Sequence, residues 1–227
     1  MTTTNSNLIL LGLRAPALAL VVCTTGVMSL GATTTGFVRT AGSFVDDGFL
    51  RGMEITPAGF PVNTRRIITD VSALTLTISG PMTAYDAAEG RSLSVGIPGV
   101  QQWDDGEPEE NGARLEEPIV GRPWIREQFI PIASKLLQTK PRGLVAERGA
   151  YKLTWYGLSR QRGYTLNRCI DALKACYQPG SQFALSDGHV LAIRGDVAPQ
   201  RGEILPHTGG WNRCVLEVHW LIHTRNS

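Results

Sequence analysis

Apolar and polar residues alternate along several short segments in the first half of the chain, with the period of two that is typical of β-strands. Turns rich in Gly, Pro and Asp separate these segments. The pattern predicts strands over residues 36–40, 53–56, 66–71 and 74–79. We therefore expect a small all-β module, a barrel or a sandwich, over residues 27–95. Its expected core consists of Phe37, Phe44, Phe49, Ile55, Ile67, Val71, Leu74, Leu76 and Ile78.

The second half of the chain, residues 122–227, mixes longer alternating segments with one helical pattern. From Thr165 onward, apolar residues recur at the three- and four-residue spacing of an amphipathic helix, which Pro179 and Gly180 end. Strands are predicted over residues 123–131, 150–158, 183–185, 189–195 and 211–224. This order predicts an α+β fold with an antiparallel or mixed sheet and one main packed helix.

The strand predicted over residues 211–224 has two distinct faces, because successive side chains of a strand point to opposite sides. One face carries Cys214, Leu216, Val218 and Trp220, and the other carries Val215, Glu217, His219 and Leu221.

An apolar run over residues 8–23 resembles an export signal at first sight. The residues before it carry no basic side chain, which an export signal needs. Arg14 and Pro16 interrupt the run, and it is shorter than the about 20 apolar residues that span a membrane. We therefore expect neither an export signal nor a membrane span. We interpret residues 1–26 as a buried N-terminal helix, kinked or broken at Pro16, that belongs to the α+β core. No membrane partner is expected.

Composition and charge exclude few classes of protein. The formal net charge is +2, and Gly (25) and Pro (13) are frequent whereas aromatic residues make up 7%. This composition favours many short strands and turns over a helical bundle. The four cysteines lie far apart and form no C-x-x-C pair, so we expect buried free thiols, in keeping with assembly in a cytoplasm.

Residues 96–121 are rich in Asp, Glu, Gly and Pro, and we expect them to form an exposed, mobile acidic loop. A metal site is the alternative interpretation of these carboxylates. The spacing of a calcium-binding loop, D-x-D-x-D-G, does not occur in the segment, which favours a solvated loop.

The sequence contains none of the common phosphate-binding, dinucleotide-binding, nucleophile-elbow or H-E-x-x-H motifs, so we predict a protein that is not an enzyme, with no catalytic residue, metal or cofactor. His219 and His223 could share a metal ion on a helix, but on the predicted strand they stand roughly 13 Å apart. Arg160, Arg162 and Arg168 form a basic stretch that is either a nucleic-acid contact or a solvated loop.

Several phrases of the C-terminal part resemble the tail terminator and tail-completion proteins of long-tailed bacteriophages. They are PWIREQFIP, GAYKLTWYGL, NRCIDALKACYQPG, PHTGGWNRC and VLEVHWLIHT, in that order. Members of that family are similar in two respects. Their last strand begins with Trp and follows a turn that contains Gly, and a helix precedes their first strand. The phrases GSFVDDGFLRGMEI and RRIITDVSALTLTIS resemble small β domains of phage tail-tube proteins, so the β module is interpreted as an insertion.

The resemblance implies a structural virion protein that is assembled in the host cytoplasm and located in the neck region of the tail. Its expected partners are copies of itself in a six-membered ring, the tail-tube protein and head-completion or connector proteins, and DNA would pass through the lumen without sequence-specific binding. The DNA-proximal candidates are Arg160, Arg162 and Arg168. The subunit-interface candidates are Trp124, Phe129, Trp155, Trp211, Val218, Trp220 and Ile222.

Two other functions remain open at the level of the sequence. The chain could be a tail-tube or head-completion subunit in which the β module forms the ring. It could also be a virion-surface module that binds a carbohydrate or a receptor through exposed aromatic residues of the β module.

Overall fold

The computed structural model of the chain describes residues 6–61, 64–96, 100–102, 124–136, 144–158 and 163–225. Strands make up 51% of it, and the described residues contain two α-helices, a closed six-stranded barrel and a second sheet. The prediction of an α+β fold with a β-barrel is therefore confirmed at this coarse level. The division of the chain into four parts at residues 26, 95 and 121 stays a prediction.

The N-terminal part consists of one helix and an antiparallel barrel. Strands β7, β2, β3, β6, β5 and β4 pair in that order, and β4 pairs with β7 to close the barrel, while β1 pairs with the end of β7. The bounds are α1 Ser6–Leu18, β1 Val21–Thr24, β2 Met28–Ala32, β3 Gly36–Arg39, β4 Glu54–Ala58, β5 Arg66–Val71, β6 Thr75–Ile78 and β7 Tyr85–Gly96.

The C-terminal part is a mixed sheet built on three long strands, which pair in the order β11, β12, β15, β10, β9 and β8. Strands β13 and β14 also pair with β15, and β8 runs parallel to β9 while the other pairs are antiparallel. The bounds are β8 Val100–Gln102, β9 Trp124–Leu136, β10 Leu144–Leu158, α2 Gly163–Ala175, β11 Gln182–Ala184, β12 Val190–Ile193, β13 Gln200–Arg201, β14 Leu205–His207, a 3₁₀ turn Thr208–Gly210 and β15 Trp211–Arg225.

The two faces of this sheet differ in burial. On β15, Leu216 and Val218 are fully buried, whereas the alternate residues, such as Val215 and Leu221, are only half-buried. The predicted division of this strand into two faces is therefore confirmed. We call the side that carries Leu216 the inner face and the side that carries Val215 the outer face.

Both helices bury one side against the core that the inner face forms. On α1 the buried residues Ile9, Leu13 and Ala17 recur every four positions, as expected for one side of a helix. On α2 the buried residues include Leu166 and Ile170, and the amphipathic pattern predicted from Thr165 is confirmed. Among the described helices, none combines the length and the apolar character that crossing a bilayer requires.

Three predictions about the chain are wrong in detail. The N-terminal helix expected within residues 1–26 ends at Leu18, and the last part of the apolar run over residues 8–23 is strand β1, which pairs with β7. In the barrel, Leu74 is 48% exposed because it lies in the turn between β5 and β6, and Ile67 is half-buried outside the core, whereas Val71 is half-buried but packs against the core as predicted. Ile68 instead fills the core position on β5.

Most of the predicted acidic loop, residues 96–121, lies outside the described residues. Its beginning is not a loop, because Gly96 ends β7 and Val100–Gln102 forms β8. The barrel also contains a twelve-residue strand, β7, that the sequence pattern does not predict.

Candidate functional site

A buried polar network joins α1 to the inner face of the sheet. Glu127 on β9 is 1% exposed, and its carboxylate accepts a hydrogen bond from Arg14 Nε at 3.1 Å and a second one from Arg14 Nη2. The Tyr151 hydroxyl on β10 donates to Glu127 Oε2 at 2.7 Å. The Tyr177 hydroxyl, just after α2, donates to the Leu13 carbonyl at 2.6 Å.

The network holds its charges and protons in fixed states. The hydrogen bond to Glu127 raises the pKa of Arg14, so its guanidinium stays charged. Burial raises the pKa of both Tyr151 and Tyr177, so both phenols stay protonated and act as donors. The arrangement therefore anchors α1 electrostatically to the sheet.

The aromatic residues that were predicted at a subunit interface mostly lie inside the chain. Trp155, Val218, Trp220 and Ile222 are each at most 3% exposed in the core between the inner face and the helices, and Trp211 is 4% exposed on the opposite side of β15, outside that core. They stabilise the chain's own fold and leave little surface for a second copy in this conformation. A role in subunit contacts stays a prediction for them.

The remaining two interface candidates, Trp124 and Phe129, lie on β9. Phe129 is half-buried and stacks on the Trp220 ring, with ring centroids 5.2 Å apart and an angle of 11° between the planes. The backbone of Trp124 belongs to β9, but its side chain lies outside the part of the chain that the structure describes.

Trp220 can lie flat in the core only because its neighbour on β10 has no side chain. A Cβ atom at Gly149 would lie 2.4 Å from Trp220 Cζ2 and 2.4 Å from the Ile130 carbonyl oxygen. Real non-bonded contacts are much longer than this. Gly149 therefore provides the space in which Phe129 and Trp220 stack.

The outer face of the sheet is not covered by either helix and carries mainly cationic charge. Along the three long strands, Arg126, Arg148, Lys152 and Arg213 lie on this face, as their strand partners indicate. Glu217 is the one carboxylate on the same described stretches, and it pairs with Lys152 at 3.1 Å. The outer face thus has a formal charge of about +3, although the whole chain carries +2.

The DNA-proximal candidates Arg160 and Arg162 lie outside the described residues. Arg168 lies on α2, and its guanidinium contacts the barrel, because a Cβ atom at Gly48 would lie 1.9 Å from Arg168 Nη2. Thr165 on the same helix donates a hydrogen bond to the Arg51 carbonyl at 3.0 Å. Arg168 therefore takes part in the contact between the barrel and the C-terminal part.

We expect Gly48→Ala to destabilise the protein more than the same change at Gly180. Both glycines have positive φ, +89° and +84°, but nothing lies within 4 Å of a Cβ at Gly180. Gly180→Ala therefore measures the conformational cost alone, about 1–2 kcal/mol, and Gly48→Ala adds only the smaller cost of moving the Arg168 guanidinium, which is the end of a flexible and exposed side chain. Urea denaturation of both variants, and of Gly48→Ala with Arg168→Ala, measures the difference. Equal losses for the two single variants would contradict the contact.

The histidines and cysteines do not assemble into a reactive cluster. His219 Nε2 lies 3.2 Å from Glu217 Oε1, and β15 is a strand, the case in which His219 and His223 stand far apart. Burial raises the pKa of the Cys23 and Cys169 thiols to about 12. No set of three or more His, Cys, Asp or Glu residues within the described ranges is placed to hold a metal ion.

Two grooves open on the surface of the described residues. One, of about 380 Å³, lies on the barrel between Pro57, Arg66, Met82 and Tyr85. The other, of about 550 Å³, lies at the edge of the outer face and is bordered by residues that include His189, Val190, Leu221 and His223. The second groove extends the outer face toward β11 and β12.

Comparison with known proteins gives no assignment. No family model and no curated protein matches the chain. One solved structure is similar over 44% of this chain and 67% of its own chain, with 12% sequence identity and a TM-score of 0.36. A likeness at that TM-score supports no conclusion about fold or function.

From the sequence, neither the residues of the buried network nor the arginines of the outer face were proposed as site residues. For the buried network, the sequence does contain a signal. Arg14 is the one charge in an apolar helix, and Glu127 shares its face of β9 with Ile125 and Phe129. Opposite charges at two otherwise apolar positions indicate a buried ion pair. Arg148 and Arg213, by contrast, cannot be told from ordinary solvated arginines in the sequence, because the sequence does not show that this face of the sheet is uncovered.

Proposed function

We propose that this chain is a structural subunit of a long-tailed bacteriophage, a tail terminator that forms a ring on the end of the tail tube where it meets the head. The proposal assigns no reaction to the chain. One observation carries it: the N-terminal helix belongs to the same folded unit as the C-terminal sheet, although the whole barrel separates them in sequence.

This observation supports the resemblance because family members carry a helix directly before the first strand of the terminator unit. Arg14 reaches Glu127 across 113 positions, and Tyr177 reaches Leu13 across 164 positions. With the barrel and the short strands β8, β13 and β14 set aside, the order is helix, strand, strand, helix, hairpin and strand. This is the order in which the quoted phrases resemble terminators, and the barrel is then an insertion into that unit.

A ring subunit needs two different surfaces that fit each other on neighbouring copies. The solvent side of α1 offers one of them, since Leu11 and Leu18 are 54% and 62% exposed and Ala15 lies between them. The single charge of this helix, Arg14, is directed into the core. An uncharged apolar stripe on a helix is typical of a surface that another protein covers.

The proposed partners follow from the ring. They are further copies of the chain, the tail-tube protein below it and a head-completion or connector protein above it. DNA passes through the lumen of the ring, and the location is the neck of the virion tail.

We expect the purified protein to be monomeric when dilute and to form rings on the ends of tail tubes. Light scattering during size-exclusion chromatography measures the mass over a range of concentrations, and negative-stain images with purified tail tubes show whether a ring caps the tube. Leu11→Ser with Leu18→Ser should abolish the rings, because the change removes apolar area from the subunit contact.

The matched control is Val45→Ser, which changes a 52% exposed apolar residue on the barrel. It should leave ring formation unchanged. A stable dimer at all concentrations would contradict the terminator function. Long tubes formed by the purified chain would favour the tail-tube alternative, and labelling at the distal tip of whole particles would favour a receptor-binding module.

A further inference from the structure

The outer face of the C-terminal sheet carries its positive charge in an arrangement that leaves two cations without partners. Arg148 and Arg213 are exposed, and neither makes a hydrogen bond or an ion pair among the described residues. The single carboxylate, Glu217, contacts both Lys152 and His219, so it does not neutralise either arginine. The nearby Arg194 pairs with Asp196 and adds no net charge.

The cations are spread along the strands rather than gathered at one point. Arg148 lies on β10, and Arg213 lies opposite Tyr156, eight residues farther along the same strand. At about 3.3 Å per residue, the two arginines stand about 27 Å apart. Lys152 on β10 and Arg126, opposite Thr154, lie between them.

A row of cations with this length matches a polymer of evenly spaced negative charges better than it matches a small anion. Duplex DNA rises 3.4 Å per base pair, so about 27 Å corresponds to eight base pairs. A small anion would need several donors within hydrogen-bond distance of one point. Long arginine side chains on a broad open sheet also adapt to phosphates at varying positions.

We propose that the outer face is the surface of this chain that contacts double-stranded DNA, through phosphates and without reading the sequence. The inference deepens the proposed function, on which it rests, because it assigns the DNA-facing side of the ring. The principal phosphate contacts are then Arg148 and Arg213. Arg168, the earlier candidate, is not one of them, because its guanidinium contacts the barrel. Binding of this kind is weak and depends strongly on salt, as suits DNA that must move past the protein.

The test measures binding of the full chain to a fluorescent 24-base-pair duplex by anisotropy between 50 and 200 mM salt. Arg148→Gln with Arg213→Gln should weaken binding by about tenfold and reduce the slope of log affinity against log salt by about 2, since each lost phosphate contact contributes about 0.9. Glu217→Gln should tighten binding severalfold, because it releases Lys152 and His219 from their carboxylate partner.

The matched control is Arg51→Gln with Arg65→Gln, which removes the same charge from exposed positions on the barrel. Its affinity should stay within twofold of the unchanged protein. Equal weakening by both pairs, weaker binding by Glu217→Gln, or displacement of DNA by polyglutamate at lower concentrations than by unlabelled duplex would overturn the inference. The last result would indicate an acidic protein partner.

Ring formation on tail tubes, measured on the same variants, separates this inference from the proposed function. Rings that assemble normally from the Arg148 and Arg213 double variant, together with the expected weakening of DNA binding, support both. If the chain forms no rings but its DNA binding still depends on Arg148 and Arg213, the terminator function is overturned. The outer face then remains a surface that binds polyanions.

Discussion

We expect Glu127→Leu to lower the free energy of unfolding by about 3–5 kcal/mol. The change leaves the Arg14 guanidinium without its carboxylate in a site where 17% of the arginine side chain is exposed, and a buried charge that has lost its partner is strongly destabilising. The Tyr151 hydroxyl loses its acceptor at the same time. Urea denaturation followed by circular dichroism measures the loss.

The double variant Arg14→Met with Glu127→Leu should recover most of this loss, because two apolar side chains of similar size can replace a buried ion pair at little cost. The partly exposed pair of Lys152 and Glu217 is the control, since Glu217→Gln should cost no more than about 1 kcal/mol. A loss from Glu127→Leu as small as that from Glu217→Gln would show that α1 is not anchored through this carboxylate.

Gly149→Ala is the second change for which we expect a large effect, a loss of about 1–3 kcal/mol or more. The added methyl group would overlap the Trp220 ring and the Ile130 carbonyl oxygen, and neither can move without disturbing β15 or β9. Thermal unfolding measures the loss. Near-ultraviolet circular dichroism should also change, because the stacking of Trp220 on Phe129 is disturbed.

Gly195→Ala is the matched control for this change, because nothing lies within 4 Å of a Cβ at that position and its φ is not in the left-handed region. It should leave the stability within about 0.5 kcal/mol of the unchanged protein. If the two alanine variants unfolded at the same temperature, this result would contradict the inference that Trp220 packs closely over Gly149.

The sequence pattern predicted the long strands and α2 well, because their apolar residues keep one period over many positions. It failed at β1, where Val21 and Val22 continue the apolar run of α1 and only pairing with β7 makes them a strand. It also failed at β7, whose first half carries no alternation and is largely exposed. Strands of that kind are defined by their neighbours rather than by their own residues.

The candidate site was harder to predict than the fold. Alternation shows that Val218 and Trp220 share one face, but the sequence does not tell whether the chain's own helices or another subunit covers that face. Here α1 and α2 cover it, so the large aromatic side chains contribute to the core. Arg148 lies on the outer face because it pairs with Leu221 in the unbroken register between β10 and β15, and the sequence alone does not give that register.

The pairing of Val21 with Gly96 has a consequence for the history of the molecule. The chain leaves the C-terminal unit at one of these residues and returns at the other, and paired residues of neighbouring strands lie only about 5 Å apart. A single insertion or deletion could therefore add or remove the segment between Val21 and Gly96, and a short turn would join the two ends. The helix α1 and the C-terminal sheet would keep their contacts and their register throughout.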